Sequence, residues 1–342
     1  MADPLSRPSR RTLLKLAGAG FAAAPLANAA RAAAADAPAA KTWSAEYQAK
    51  KGDVSLYMFR KRAAAPAKGE PPLPVVFLVH GSSVSSRSTF DLTVPGKGEY
   101  SLMNVLAGYG FDVWTMDHEG YGRSSRTEGN SDIKSGAEDL AAGSVVVARE
   151  TGHKRIHFIG ESSGALRAGA FAVAHPEAVD RLVLMAFTYT GAGSPTLQKR
   201  AEQVEYFRTH NRRKRDREMI RSIFTRDKQG TSDLAVADAM ADAELKYGDT
   251  VPTGTYLDMT ANLPVVDPRK VLAPTLVVRG EHDGIATEED LLDFYRKLPN
   301  PDRQFSILPG LAHSLALGIN RQLFWHCTRA FLEMPRAAPI SS

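Results

Sequence analysis

Apolar and polar positions alternate along residues 43–62, which reads as two antiparallel strands, the second of them, Val54 to Arg60, a half-exposed edge. A Pro/Ala/Gly stretch at 64–72 then reads as a linker, and beyond it the pattern changes. Leu73 to Val79, Phe111 to Asp117, Arg155 to Ile159, Arg181 to Phe187, Thr275 to Arg279 and Phe305 to Leu308 are nearly unbroken apolar runs. Such runs suit parallel strands covered on both faces. Helical periodicity at 101–109, 133–151, 163–175, 288–297 and 317–333 alternates with them, as a βα repeat requires. The pattern therefore predicts an α/β fold, a mostly parallel sheet flanked by helices. Residues 191–263 carry no sheet pattern, and their helix-like centre, Lys199 to Arg226, is more basic than acidic.

Chemistry enters at the end of the third buried run, where the strand meets Gly160-Glu161-Ser162-Ser163-Gly164 and then a helix of small residues. In a strand–turn–helix elbow the central residue is held in a strained backbone conformation, and the flanking glycines are needed where strand and helix approach. Ser162 is thereby presented as a nucleophile, with the positive end of the following helix aimed at the same place. The run ending at Val79 leads into His80-Gly81-Ser82-Ser83, a loop suited to an oxyanion hole. Its backbone donor is expected at Ser82, beside the N–H of Ser163. Downstream, one strand delivers Glu281-His282-Asp283 and another delivers His313.

With these residues together the chain resembles an α/β-hydrolase from about Lys50 to Met334. The order Ser162, Asp283, His313 is the order that fold uses. By resemblance Ser162 is the nucleophile, His313 its general base and then acid, and Asp283 the carboxylate that orients the imidazole. Glu281 is near enough in sequence to compete for that last role, but the resemblance places the acid three residues beyond a glycine, here Gly280. The resemblance also implies a helical cap at 191–263, inserted between core segments 43–190 and 264–335, a backbone-bracing role for His80 and a structural one for Asp117. His118 is expected in a surface turn. Glu161 is expected either to shape the pocket electrostatically or to pair with a buried arginine.

Composition adds bounds. A chain of 342 residues that is 43% hydrophobic can bury the core of one large domain, and no tandem repeat interrupts it. The single cysteine, Cys327, makes an intramolecular disulfide impossible and is expected as a buried small hydrophobe in the last helix. No Cys/His cluster has metal-ligand spacing and no glycine-rich phosphate loop occurs, so cofactor-free chemistry is expected.

The N-terminus reads separately. Arg10-Arg11, a short Ala/Gly-rich apolar run and Ala27-Asn28-Ala29 resemble a bacterial twin-arginine export signal over residues 1–29. The run is too short for a stable membrane span. Residues 30–42 are expected as a flexible lead-in to an enzyme released near Ala30 by the export machinery, periplasmic or secreted, and 336–342 as a C-terminal tail. Removing the signal takes the net charge from +5 to about +2, which weakens any nucleic-acid reading of Arg212-Arg213-Lys214-Arg215. That run is read as a solvated helix face, with an anionic substrate as the alternative if arginines turn inward. The function expected is a serine hydrolase acting on a small carboxylic ester or lactone. Carbon–carbon bond hydrolases, amidases and perhydrolases share the triad, and a binding protein on this fold would have lost part of it. Serine at 162 excludes the epoxide hydrolases and haloalkane dehalogenases of the resembling family in their usual form, since these use an aspartate there.

Overall fold

In the computed structural model, which describes residues 42–336, the apolar runs hydrogen-bond into one eight-stranded sheet. In chain order the core elements are β1 (Trp43–Lys51), β2 (Val54–Arg62), β3 (Val75–Val79), α1 (Ser86–Phe90), α2 (Leu102–Gly108), β4 (Asp112–Met116), α3 (Ile133–Thr151), β5 (Ile156–Glu161), α4 (Ser163–Ala174) and β6 (Val179–Met185). The strand order is β1-β2-β4-β3-β5-β6, followed by β9 (Thr275–Gly280) and β10 (Arg303–Leu308). Pairing is parallel from β4 to β10 and antiparallel where β2 meets β1 and β4. This is the expected α/β architecture.

Burial on both faces explains the unbroken runs. Val75, Phe77 and Val79 point into one core with Phe158 and Leu184, whereas Val76 and Leu78 point into the other with Ile159, Val183 and Leu276. Each such side chain, fully buried, contributes about 1.5–3 kcal/mol. The helices that cover the sheet start on side-chain caps: Asp132 accepts from the Ser135 N–H at 2.7 Å at the head of α3. Thr287 accepts from the Asp290 N–H at 3.2 Å in α10 (Glu288–Lys297), whose first turn is acidic and last turn basic, matching the helix dipole.

Three sequence expectations are corrected here. The edge strand is β1, whose residues alternate in exposure, whereas Leu56 to Arg60 of β2 are buried between β1 and β4. Arg60 gave the false polar mark: it lies buried in an ion pair with Asp112 at 2.5 Å and over the Trp114 ring. The last helix, α11 (Arg321–Leu332), begins later than 317, after a short 3₁₀ turn at Leu315–Leu317. Cys327 on it is half-buried rather than fully enclosed.

Between β6 and β9 the basic stretch is no single helix. It breaks into α5 (Pro195–Ala201), α6 (Val204–Thr209), β7 (Arg212–Lys214) and α7 (Arg217–Thr225). Then follow α8 (Leu234–Glu244), β8 (Thr250–Pro252), paired with β7, and α9 (Gly254–Leu257). Ile220, Phe224, Val236 and Met240 of this insertion pack on Val84, Leu92, Val94 and Leu317, which fixes it over the segments that follow β3 and β10. Among the described residues no helix is long and apolar enough to cross a membrane. The export signal read from residues 1–29 lies outside them.

Candidate active site

Ser162 sits between β5 and α4 with φ 58° and ψ −123°, a left-sided conformation that a side chain adopts only under constraint. Its N–H is held by the Met185 carbonyl at 2.9 Å. The flanking glycines are required by space: a Cβ on Gly160 would lie 2.5 Å from the Gly164 carbonyl oxygen, and one on Gly164 would lie 2.2 Å from that of Val79. The elbow is thus wedged against the end of β3 and cannot relax.

The imidazole and the acid arrive on the neighbouring strand ends. Leu308 is in register with Gly280, so the loops after β10 and β9 emerge side by side, tied by Glu281 N–H to Leu308 O at 3.0 Å and His282 N–H to Leu311 O at 2.9 Å. Gly280 has no room for a side chain against the Leu311 and Ala312 carbonyls. His313 Nε2 lies 3.1 Å from Ser162 Oγ and its Nδ1 lies 2.9 Å from Asp283 Oδ1, all three residues buried. Burial opposes the charge on Asp283, but the His313 ring and the Ile285 N–H outweigh it and hold the carboxyl below the usual range. Glu281 points elsewhere, accepting from the Gly310 N–H at 2.8 Å. The sequence competitor for the acid is therefore not in reach of the imidazole.

The loop after β3 closes the other side. Ser82 Oγ donates to Ser163 Oγ at 2.7 Å and accepts from Thr255 Oγ1 at 2.8 Å, so the two residues expected to supply backbone donors are tied together. Among the described residues neither backbone N–H has a protein acceptor. His80 braces the loop: its Nδ1 lies 2.8 Å from the Gly81 carbonyl and its Nε2 accepts from the His118 N–H at 3.0 Å. Asp117 accepts from the Ser86 N–H at 2.9 Å and the Arg123 N–H at 2.8 Å, a structural use. His118 is not in a surface turn but fully buried, its ring 3.1 Å from Asp139, which also meets Lys51 at 2.5 Å. Burial lowers its pKa to about 4, so the ring is neutral at ordinary pH.

Among the described residues Glu161 has no arginine within ion-pair distance. Its carboxyl is buried beside Ser162 with Oε2 lacking a partner, and burial, reinforced by the charge of Asp283, raises its pKa to about 8. The pocket-shaping expectation is the one that survives. A carboxyl with a raised folded-state pKa favours folding below its unfolded value, and that contribution is lost as pH rises towards 8. Against Glu161→Gln, wild-type stability should therefore fall by about 3 kcal/mol between pH 5 and pH 8. Urea unfolding of both proteins across that range measures it, and a constant difference would refute the assignment.

The basic run is also redistributed. Arg215 is buried against Glu244 and donates to the Ser83 carbonyl at 3.0 Å, while Glu244 accepts from the Ser85 N–H at 2.8 Å. Arg212 donates to the Gly120 carbonyl at 3.0 Å. Neither belongs to a solvated helix face. The arginines that do line the space around Ser162 are Arg200 and Arg226, which the sequence did not single out. Among the described residues one grouping, Asp227, Asp283 and His313, brings possible metal-ligand atoms within 4.8 Å of one another. Both His313 ring nitrogens are already engaged, by Asp283 and Ser162, so a metal there would dismantle the hydrogen-bonded chain.

A family model described as serine aminopeptidase, S33, matches residues 70–318. No curated protein matches the sequence. Among solved structures the chain is similar to 2-hydroxy-6-oxo-6-phenylhexa-2,4-dienoate hydrolase from Rhodococcus sp. strain RHA1, with TM-score 0.61 and 19% identity over 85% of this chain and 100% of that one. It is similar to a bromoperoxidase from Bacillus anthracis, with TM-score 0.59 and 18% identity over 84% and 100%. A bacterial membrane phospholipase A gives TM-score 0.60 and 17% identity over 91% of each chain. At these identities the likeness is one of fold.

Proposed function

The chain belongs to the serine aminopeptidase, S33, family of α/β-hydrolases, and from that premise we propose that it is an exported serine hydrolase cleaving a small carboxylic ester or lactone through an acyl-enzyme on Ser162. The observation that carries the proposal is the buried chain Ser162 Oγ, His313 Nε2, His313 Nδ1, Asp283 Oδ1, with spacings of 3.1 and 2.9 Å. A serine hydroxyl is a poor nucleophile until a base within this reach takes its proton. His313 takes it as Ser162 attacks the carbonyl, Asp283 fixes the tautomer and stabilises the imidazolium, and the N–H groups of Ser82 and Ser163 receive the oxyanion. His313 then returns the proton to the leaving alcohol. Water repeats the sequence on the acyl-enzyme.

Peptide cleavage at a free amino terminus is disfavoured by charge. Holding an α-ammonium group requires ionised carboxylates, and the space over Ser162 is lined by Arg200, Arg226 and a Glu161 that stays protonated at neutral pH. Fluorophosphonate labelling followed by mapping of the modified residue tests the nucleophile, and a panel of esters of graded acyl length with lactones and vinylogous diketones tests the bond. Labelling elsewhere than Ser162 would overturn the assignment, and turnover of diketones alone would move the activity to carbon–carbon cleavage.

Export rests on the arginine pair. Replacing Arg10-Arg11 with Lys-Lys is expected to leave the precursor in the cytoplasm, read by fractionation and by the N-terminus of the mature protein. Unchanged periplasmic yield, with a mature end far from Ala30, would refute it.

A further inference from the structure

Directly over Ser162 the free space is only about 40 Å³, lined by Gly81, Ser82, Glu161 and His313. Ser83, Arg200 and Arg226 line it too, and the same three residues line a second cavity of about 660 Å³ under the insertion, whose walls add Lys199, Arg213 and Tyr256. The charges around these two adjoining spaces are unbalanced. Lys199, Arg200, Arg213 and Arg226 line them, with half-exposed His282, against the carboxyl of Asp227, the other carboxyl in the lining, Glu161, being held protonated by burial and by Asp283. Among the described residues Arg200 has no carboxylate within ion-pair distance: its guanidinium touches Met259 Sδ at 3.9 Å and lies 5.2 Å from the centre of the Tyr256 ring. Arg213 lies over the same ring at 4.7 Å, also without an acid. Arg226 approaches Asp227 only at 3.5 Å, beyond a good hydrogen bond. Tyr256 is held in turn by its hydroxyl at 2.7 Å from Ser83 Oγ, which fixes the platform on which both guanidinium groups rest.

Arg200 and Arg213, half-buried and without a carboxylate partner among the described residues, and Arg226, paired only at 3.5 Å with Asp227, are poised for an anion supplied from outside. Burial, and after it the charge of Arg226, lowers the pKa of Arg200 to about 10, so the group remains a cation at neutral pH. The narrow cavity holds little more than the reacting carbonyl, and Arg200 and Arg226 stand in the wall it shares with the wide one. Building on the serine-hydrolase reading of Ser162, we propose that the acyl donor carries a second, free carboxylate on its acyl chain, gripped by Arg200 and Arg226 with Arg213 behind them. The substrate class is then the mono-ester of a dicarboxylic acid. Attack and departure proceed as above, and the distal carboxylate takes no part in bond breaking.

The test compares p-nitrophenyl butyrate with the mono-p-nitrophenyl esters of succinate, glutarate and adipate, which share one leaving group. For at least one chain length the wild-type kcat/KM should exceed that for butyrate by about tenfold or more, the worth of a charge-assisted hydrogen bond. In Arg200→Gln, and separately in Arg226→Gln, that ratio should fall towards one, whatever happens to the absolute rates. A wild type without the preference, or variants that keep the ratio, would overturn the proposal. Calorimetric titration with glutarate against glutaramide gives a reading independent of turnover: heat with glutarate alone, lost in Arg200→Gln, supports the subsite, and no heat with either refutes it. Failure to label Ser162 with a fluorophosphonate would remove the hydrolase reading while leaving the titration to judge the anion site.

Discussion

Ester turnover should fall by about a million-fold when Ser162 is replaced by alanine, with the fold retained. The substitution removes one oxygen, which among the described residues is the hydrogen-bond partner of His313 Nε2, at 3.1 Å. The oxyanion donors and the cavity remain, so a residual acceleration over water persists. Stability should change little, because alanine meets the same φ of 58° as serine and the elbow is held by its glycines and by the Met185 carbonyl rather than by the hydroxyl. Steady-state kinetics and thermal unfolding of one preparation measure both. Turnover within tenfold of wild type, with contaminating esterase excluded, would place the chemistry elsewhere.

Asp283→Asn is expected to cost about four orders of magnitude in kcat, and Glu281→Gln almost nothing. Asp283 Oδ1 accepts from the imidazole at 2.9 Å and from the Ile285 N–H at 3.0 Å, which fixes the proton on Nδ1 and leaves Nε2 free to take one from Ser162. An amide in that place donates as readily as it accepts, and the wrong tautomer then faces the serine. Glu281 is bound instead to the Gly310 N–H. A second signature follows, because the charge of Asp283 is one of the two causes that raise Glu161. The asparagine variant should bring the Glu161 titration down, visible as a shallower pH dependence of stability. A larger loss in Glu281→Gln would transfer the acid's role to Glu281.

The parts of this molecule that could be read from its sequence are those governed by local rules. Apolar runs buried on both faces marked the parallel strands, and the glycines around Ser162 marked a turn in which Cβ atoms have no room. The order of Ser162, Asp283 and His313 could be carried over because each sits at a strand end, where a one-dimensional pattern fixes its place. What escaped depends on partners far along the chain. Arg60 looked like an exposed alternation because Asp112, 52 residues on, cannot be seen from its neighbours. His118 looked like a turn residue until Asp139 enclosed it, and Arg215 like a solvated charge until Glu244 did. Arg200 was passed over for the opposite reason. It sits in an ordinary helical stretch, and only the folded insertion turns it towards Ser162.

The buried pair of Arg215 and Glu244 has a consequence for traffic through the site. Glu244 ends α8 and holds Ser85 and Ser88, while Arg215 follows β7 and holds the carbonyl of Ser83. Two distant points of the insertion are thereby knotted to the loop that carries Ser82. Parting such a pair leaves an uncompensated buried charge at about 3–5 kcal/mol, so fewer than about one molecule in a hundred is parted at any instant. A swinging lid hinged at this corner would pull the Ser82 N–H away from the reaction each time it opened. The insertion is therefore a fixed roof at this corner, and the wide cavity beneath it, walled in part by Lys199, Gln203 and Met219, keeps its shape.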